Sequence, residues 1–202
     1  PPHPPFPDRG RVAWIAFGTG VFRYFGREAA TALQPIADTL AAEGWEVRIG
    51  LGGQDAPDDL AERLRAAGAV VERDPDQWIA LESAGVFVTH HGLNSSHEAI
   101  YRRVPMLSYP FFGDQPALAR ACQGFGLALP IADEPAGVVH PERVRAALRR
   151  LDEDRASFGA SLDEARRWEV RTLRDRPRVL DRVLHLAGRR WTPQDLESLH
   201  GR

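Results

Sequence analysis

Short apolar runs recur along the chain at 12–17, 46–51, 69–72, 86–89, 106–109 and 127–130. They have the length of strands rather than of helices, and most are rich in β-branched residues, as suits strands buried on both faces of a parallel sheet. Between them apolar residues fall at helical spacing. This pattern predicts helices over 27–43 despite Pro35, over 58–67 behind Pro57, from Glu98 to Tyr101, and over 114–123 behind a glycine. Beyond Pro141 the segments 142–151, 157–174 and 178–186 are rich in Arg, Glu, Leu and Ala and read as amphipathic packing helices. Strand and helix alternate throughout, which predicts an α/β fold: a Rossmann-like, doubly wound parallel sheet with right-handed crossovers. In such sheets ligands sit beyond the carboxyl ends of the strands, where strand order reverses.

The turns that follow the strands are therefore the places to look for chemistry. They are Gly18-Thr-Gly20, Gly50-Leu-Gly-Gly53, the segment from His90 to Ser95, and the segment from Pro110 to Gln115. The third is the most heavily loaded, because a buried strand runs through Thr89-His-His-Gly-Leu-Asn-Ser95 into a helix start. Backbone N–H groups at a helix start lack intrahelical partners and attract an anion, and Asn94 and Ser95 add side-chain donors. A phosphate-bearing ligand fits. His90 can donate a hydrogen bond to a phosphate oxygen or to a leaving diphosphate, with a structural imidazole bonded to backbone as the alternative. His91 falls on the opposite face and reads as a packing or supporting residue. Glu98 can accept both hydroxyls of a ribose, or can simply complement the helix dipole. Asp114 and Gln115 offer an acceptor and an amide able to bracket vicinal sugar hydroxyls, and Asp114 can also cap its helix. Gly18 and Thr19 allow close backbone approach and add a hydroxyl, a weak signal taken alone. Gly52 and Gly53 are weaker still, and Trp45, Trp78, Trp168 and Trp191 read as packing or surface anchors.

Composition narrows the function classes. The 202 residues carry a net charge of -2 with no basic stripe, which disfavours nucleic acid as a partner. All basic residues are Arg and none is Lys, a feature better explained by a GC-rich genome than by arginine chemistry. The single Cys122 excludes an internal disulfide and a multi-cysteine metal site and suits a reducing cytoplasm. No apolar run is long enough to span a bilayer and no signal peptide is seen. The proline-dense residues 1–11 read as an interdomain linker, 12–187 as the ligand-binding domain and 188–202 as a tail. The expectation is then that this is the second half of a longer protein.

These residues resemble the donor-binding, C-terminal half of UDP-glycosyltransferases of the GT-B class, including plant secondary-metabolite and actinobacterial antibiotic enzymes. The resemblance rests on Thr89-His-His-Gly-Leu-Asn-Ser95, Glu98, Val104-Pro-Met106, and Pro110 followed by Asp114-Gln115, with Phe17-Gly-Thr19 as an upstream phosphate loop. It spans 12–151. It implies that His90, Gly92, Asn94 and Ser95 hold a diphosphate, with Gly18 and Thr19 close by, that Glu98 holds the ribose, and that Asp114 and Gln115 hold the sugar. The family's Trp-x-Pro-Gln segment, whose Trp stacks on the base, is altered here to Glu72-Arg-Asp-Pro-Asp-Gln-Trp78. The Arg73 guanidinium is then the candidate stacking group. His91 replaces a Gly or Cys, and Leu93 replaces the Trp of plant members.

The resemblance implies transfer of a sugar from a UDP- or dTDP-sugar to a small-molecule acceptor, with inversion and with neither metal nor cofactor. The general base and the acceptor pocket would belong to an N-terminal acceptor-binding domain outside this chain. Two other readings stand beside it: a nucleotide-sugar-binding subunit without chemistry, working with a separate acceptor-binding chain, and a nucleotide-sugar epimerase. The latter lacks a visible acid and base pair.

Overall fold

Six parallel strands form one sheet in the order β3-β2-β1-β4-β5-β6 in the structure, a computed structural model that describes residues 9–54 and 59–186. The strands are β1 (Val12–Ala16), β2 (Glu46–Gly50), β3 (Val70–Glu72), β4 (Val86–Thr89), β5 (Met106–Ser108) and β6 (Ala128–Pro130). Each lies where the apolar runs place it, trimmed by a residue at one end in all but β4. The chain winds outward from β1 to β3, then returns to place β4 on the other side of β1, so strand order reverses between β1 and β4. At that edge the register pairs Ala16 with Thr89, which brings the residues just after both strands to the same level of the sheet.

The helices are α1 (Gly18–Ala42), α2 (Leu60–Ala66), α3 (Gln77–Ser83), α4 (Leu93–Arg102), α5 (Gln115–Gly124), α6 (Pro141–Glu153) and α7 (Arg155–Leu186). Side chains alternate along β1, so Ala13 and Ile15 join a core with Val21, Leu33, Ile36 and Leu40 of α1, while Trp14 is buried on the other side. These α1 positions recur at helical spacing and are fully or almost fully buried.

Three elements differ from the sequence expectation. First, α1 starts at Gly18 rather than at 27, so the supposed loop Gly18-Thr-Gly20 is a helix start. Three glycines and a kink at Phe25 (φ −131°, ψ 32°) break the spacing that marks the helix further on. Second, α3 has no counterpart in the expectation. It is short, with only Leu81 buried, and its signal is the Asp76 cap, whose Oδ1 accepts from the Ile79 N–H at 3.2 Å. Third, 157–174 and 178–186 form a single helix, α7, that continues through Pro177. A proline removes one backbone donor, and the strong helix formers around it, chiefly Arg and Leu, sustain the helix.

The chain divides into two compact units, Pro1–Glu164 and Ala165–Arg202. The sheet and every candidate site residue belong to the first; the second holds the remainder of α7. The linker expected over 1–11 lies mostly outside the described residues, as do the tail at 188–202, Trp191 and the first residue of the helix expected at 58–67.

Candidate functional site

His90 stands at the reversal of strand order, one residue beyond β4, with its ring between two glycines. A Cβ on Gly18 would lie 2.8 Å from both Cε1 and Nε2 of His90, and one on Gly92 would overlap Nε2. Gly18 also has φ +73°, a left-handed conformation that a side chain would strain. The two glycines therefore make the slot that the imidazole fills. The ring is 8% exposed, and its Nδ1 is buried with no partner at hydrogen-bond geometry. Burial pushes its pKa down from 6.5 to about 4, against smaller opposite pulls from the Ala16 backbone and the Asp114 carboxylate. At neutral pH the ring is uncharged. It offers one N–H to an anion and carries no positive charge of its own.

Helix α4 begins at Leu93 with Gly92 as its N-cap, and no side chain caps it. Its first intrahelical bond runs from the Ser96 N–H to the Gly92 carbonyl at 3.0 Å, so the amides of Leu93, Asn94 and Ser95 are left for a ligand. No acidic residue stands in the first turn to compete for them. Glu98 lies in the second turn, so it does not serve as a first-turn dipole partner. Its carboxylate accepts from Gln77 Nε2 at 2.5 Å, and the same amide reaches Ser95 Oγ at 3.1 Å. Gln77 was not among the sequence candidates, because its place on α3 depends on a helix with almost no apolar signature.

The loop between β5 and α5 carries the remaining pair. Gln115 is buried, and its Oε1 accepts the Phe111 N–H at 2.9 Å and the Phe112 N–H at 3.3 Å. Its oxygen thus holds the loop, and its amide NH₂ is the part left for a ligand. Asp114 occupies the N-cap of α5 without forming a side-chain cap bond, so the capping alternative does not hold and its carboxylate stands exposed. Phe112 stacks on Phe25 with centroids 4.9 Å apart, which brings the kink of α1 against this loop.

Other candidates sit differently from expectation. The Thr19 hydroxyl donates to the Gly52 carbonyl at 2.8 Å, so its one hydrogen ties the start of α1 to the turn after β2 and is not free for a phosphate oxygen. Arg73 is exposed on the turn after β3, two strands from β1, and its carbonyl accepts the Gly53 N–H at 2.8 Å. His91 is fully buried, with its ring between the hydroxyls of Ser96 and Ser108. Among the described residues no group of three or more His, Cys, Asp or Glu side chains is placed to hold a metal ion. None of the helices in the same residues is long and apolar enough to cross a membrane.

Known proteins resemble this chain in sequence and in fold. A flavonol 3-O-glucosyltransferase of Arabidopsis thaliana is 36% identical over 115 residues, 56% of this chain and 25% of its own. The DIMBOA UDP-glucosyltransferase BX8 of Zea mays is 34% identical over 160 residues, covering 71% of this chain and 34% of its own. The solved glycotransferase of kitacinnamycin is 28% identical, with a TM-score of 0.63 over 82% of this chain and 40% of its own. Os79 of O. sativa, solved with U2F and trichothecene, shares the fold at 20% identity and a TM-score of 0.64, over 80% of this chain and 37% of its own. The chain thus spans a quarter to a third of the curated relatives named here. The family model described as UDP-glucoronosyl and UDP-glucosyl transferase matches residues 20–134. That match covers more than half of the sequence and takes in His90, α4 and the Asp114-Gln115 pair, and the chain belongs to this family.

Proposed function

We propose that this chain is the donor-binding half of an inverting, metal-independent glycosyltransferase that moves a sugar from a UDP- or dTDP-sugar to a small-molecule, natural-product-like acceptor in the cytoplasm. The observation that carries the reading is the slot of Gly18 and Gly92 around an uncharged His90, set beside the uncapped start of α4. The diphosphate lies on the α4 amides, on His90 and against Gly18, Thr19, Gly92, Asn94 and Ser95. Glu98 takes the ribose hydroxyls, Asp114 and the Gln115 amide take the sugar, and Arg73 lies toward the base. The relatives' names, a flavonol glucosyltransferase among them, support the acceptor class.

In the reaction the acceptor oxygen bonds to the anomeric carbon as the bond from that carbon to the diphosphate oxygen breaks. The acceptor's proton goes to a general base on an N-terminal acceptor-binding domain. This chain's share is electrostatic: fixed N–H donors meet the charge that grows on the departing diphosphate, at no cost of reorganisation during the step. Among the described residues no acid and base pair for epimerisation stands out near His90 and Glu98, so the transferase reading is preferred.

Calorimetric titration with UDP, dTDP, UDP-glucose and dTDP-glucose in the presence of EDTA tests this. Saturable binding of one base series is expected, with EDTA without effect. A folded chain that binds none of the four contradicts the proposal, and binding that EDTA abolishes contradicts its metal independence.

A further inference from the structure

Five of the eight buried polar or charged residues among the described ones, Thr89, His90, His91, Ser96 and Ser108, gather behind the turn after β4. Burying polar groups is costly unless they satisfy one another, and here His91 is the hub. Its backbone N–H donates to Thr89 Oγ1 at 3.2 Å. Its ring spans two hydroxyls, with Nδ1 3.3 Å from Ser96 Oγ and Nε2 2.8 Å from Ser108 Oγ. A neutral imidazole has one donor and one acceptor nitrogen, and a serine hydroxyl can answer either, so both contacts are satisfied in either tautomer.

The anchors belong to separate elements. Ser108 closes β5, in register with Thr89 at the end of β4. Ser96 sits in the first turn of α4, where its N–H bonds the Gly92 carbonyl. The ring therefore fastens the end of two adjacent strands to the start of a helix that has no side-chain cap. The backbone adds a further observation: His91 has φ 60°, a left-handed conformation uncommon outside glycine, although His adopts it more readily than most residues. That turn folds the chain back between His90 and Gly92, and strain of this kind persists only where the surroundings over-determine it.

We propose that His91 is a positioning residue, the strut that fixes the turn presenting His90 and the first amides of α4 to the donor diphosphate. The inference rests on the function proposed above and extends it to a residue that touches no substrate. A side chain that merely filled space would leave the Ser96 and Ser108 hydroxyls buried without a partner, whereas the imidazole satisfies both.

The test compares His91→Gly, Ser108→Ala, the double variant and His91→Asn in the 202-residue chain, by UDP titration and by NMR of the His90 imidazole without nucleotide. Glycine accepts φ 60° at no steric cost, so His91→Gly relaxes the backbone while removing the strut. UDP affinity is expected to fall about ten-fold in His91→Gly and less in Ser108→Ala, the scale set by lost hydrogen bonds. The double variant should bind no more weakly than His91→Gly alone, because the serine bond is already gone. Asparagine, which tolerates the left-handed turn and can reach one serine, should recover part of the loss. The His90 resonances should move in both single variants before any nucleotide is added. A folded His91→Gly chain with wild-type affinity and unmoved His90 resonances would overturn the proposal, as would losses that simply add in the double variant. If the wild-type chain itself binds no UDP, the donor reading fails, and the His90 resonances still decide the strut.

Discussion

Each side chain at the site has a role set by what it touches. Glu98 is held by the Gln77 amide at 2.5 Å, which orients its carboxylate in advance for the ribose role proposed above. Glu98→Gln removes a charge-assisted acceptor, and UDP binding should weaken by about 1.5–3 kcal/mol in calorimetry; unchanged affinity would take Glu98 out of the ribose site. Gln115 acts at two ends. Gln115→Ala should weaken UDP-glucose relative to UDP by losing the amide, and equal losses for both ligands would count against a sugar contact. It should also lower stability by about 1–3 kcal/mol in urea unfolding, because the Phe111 and Phe112 amides lose their acceptor.

The two histidines make the fold sensitive to acid. Burial lowers His90 and His91 from 6.5 to about 4, with the neighbouring His90 adding to the effect on His91. The unfolded chain takes up these protons first as the pH falls, so the folded state keeps its full contribution above about 6.5 and loses it on the way down to about 4. Each histidine accounts for ~3 kcal/mol over that window. Urea midpoints measured from pH 7 to 4 should fall more steeply for the wild type than for His91→Asn, and identical slopes would show that His91 is not held neutral.

At the scale of elements, the site depends on how close a helix start can come to a strand end. Gly92 has φ −59°, open to any residue, so Gly92→Ala adds a methyl against His90 without straining the backbone. Gly18→Ala adds both a clash and a left-handed strain. Both variants should lose UDP affinity in calorimetry and more than ~1 kcal/mol of stability, because each forces a methyl against the buried ring, with the larger loss in Gly18→Ala from its added strain. Equal stability losses would mean that the clash with His90, and not the left-handed strain at Gly18, sets the cost.

The elements also show how far the sequence could be read. The strands were legible because a buried parallel strand is almost continuously apolar, and β4 matches its run residue for residue. The helix start at Gly18 was hidden by three glycines and the Phe25 kink, and α3 by its exposure. Gln77 was lost along with α3. The placement of His90, Gly92, Asn94, Ser95 and Glu98 just past β4 and in the opening turns of α4 was legible because a strand run leads directly into them. The Thr19 bond to Gly52 was not, since it joins a helix start to a turn far from it in sequence.

For the molecule as a whole, the reversal of strand order between β1 and β4 sets His90 and the start of α4 at one crevice, and the relatives' greater length places this chain as one part of a longer enzyme in our proposal. The corollary is that the 202-residue chain binds donor but transfers sugar at a negligible rate until an acceptor-binding domain is supplied. Fast transfer to a flavonol by this chain alone would refute that division of labour.

The central claim is that an uncharged His90 in its glycine slot binds the donor diphosphate together with the α4 amides. The most direct test is calorimetric titration of UDP into the wild-type chain and into His90→Ala. Saturable binding by the wild type that weakens at least ten-fold in the variant is the predicted result, on the scale of one hydrogen bond to a charged group. Equal affinity for the two proteins would contradict it.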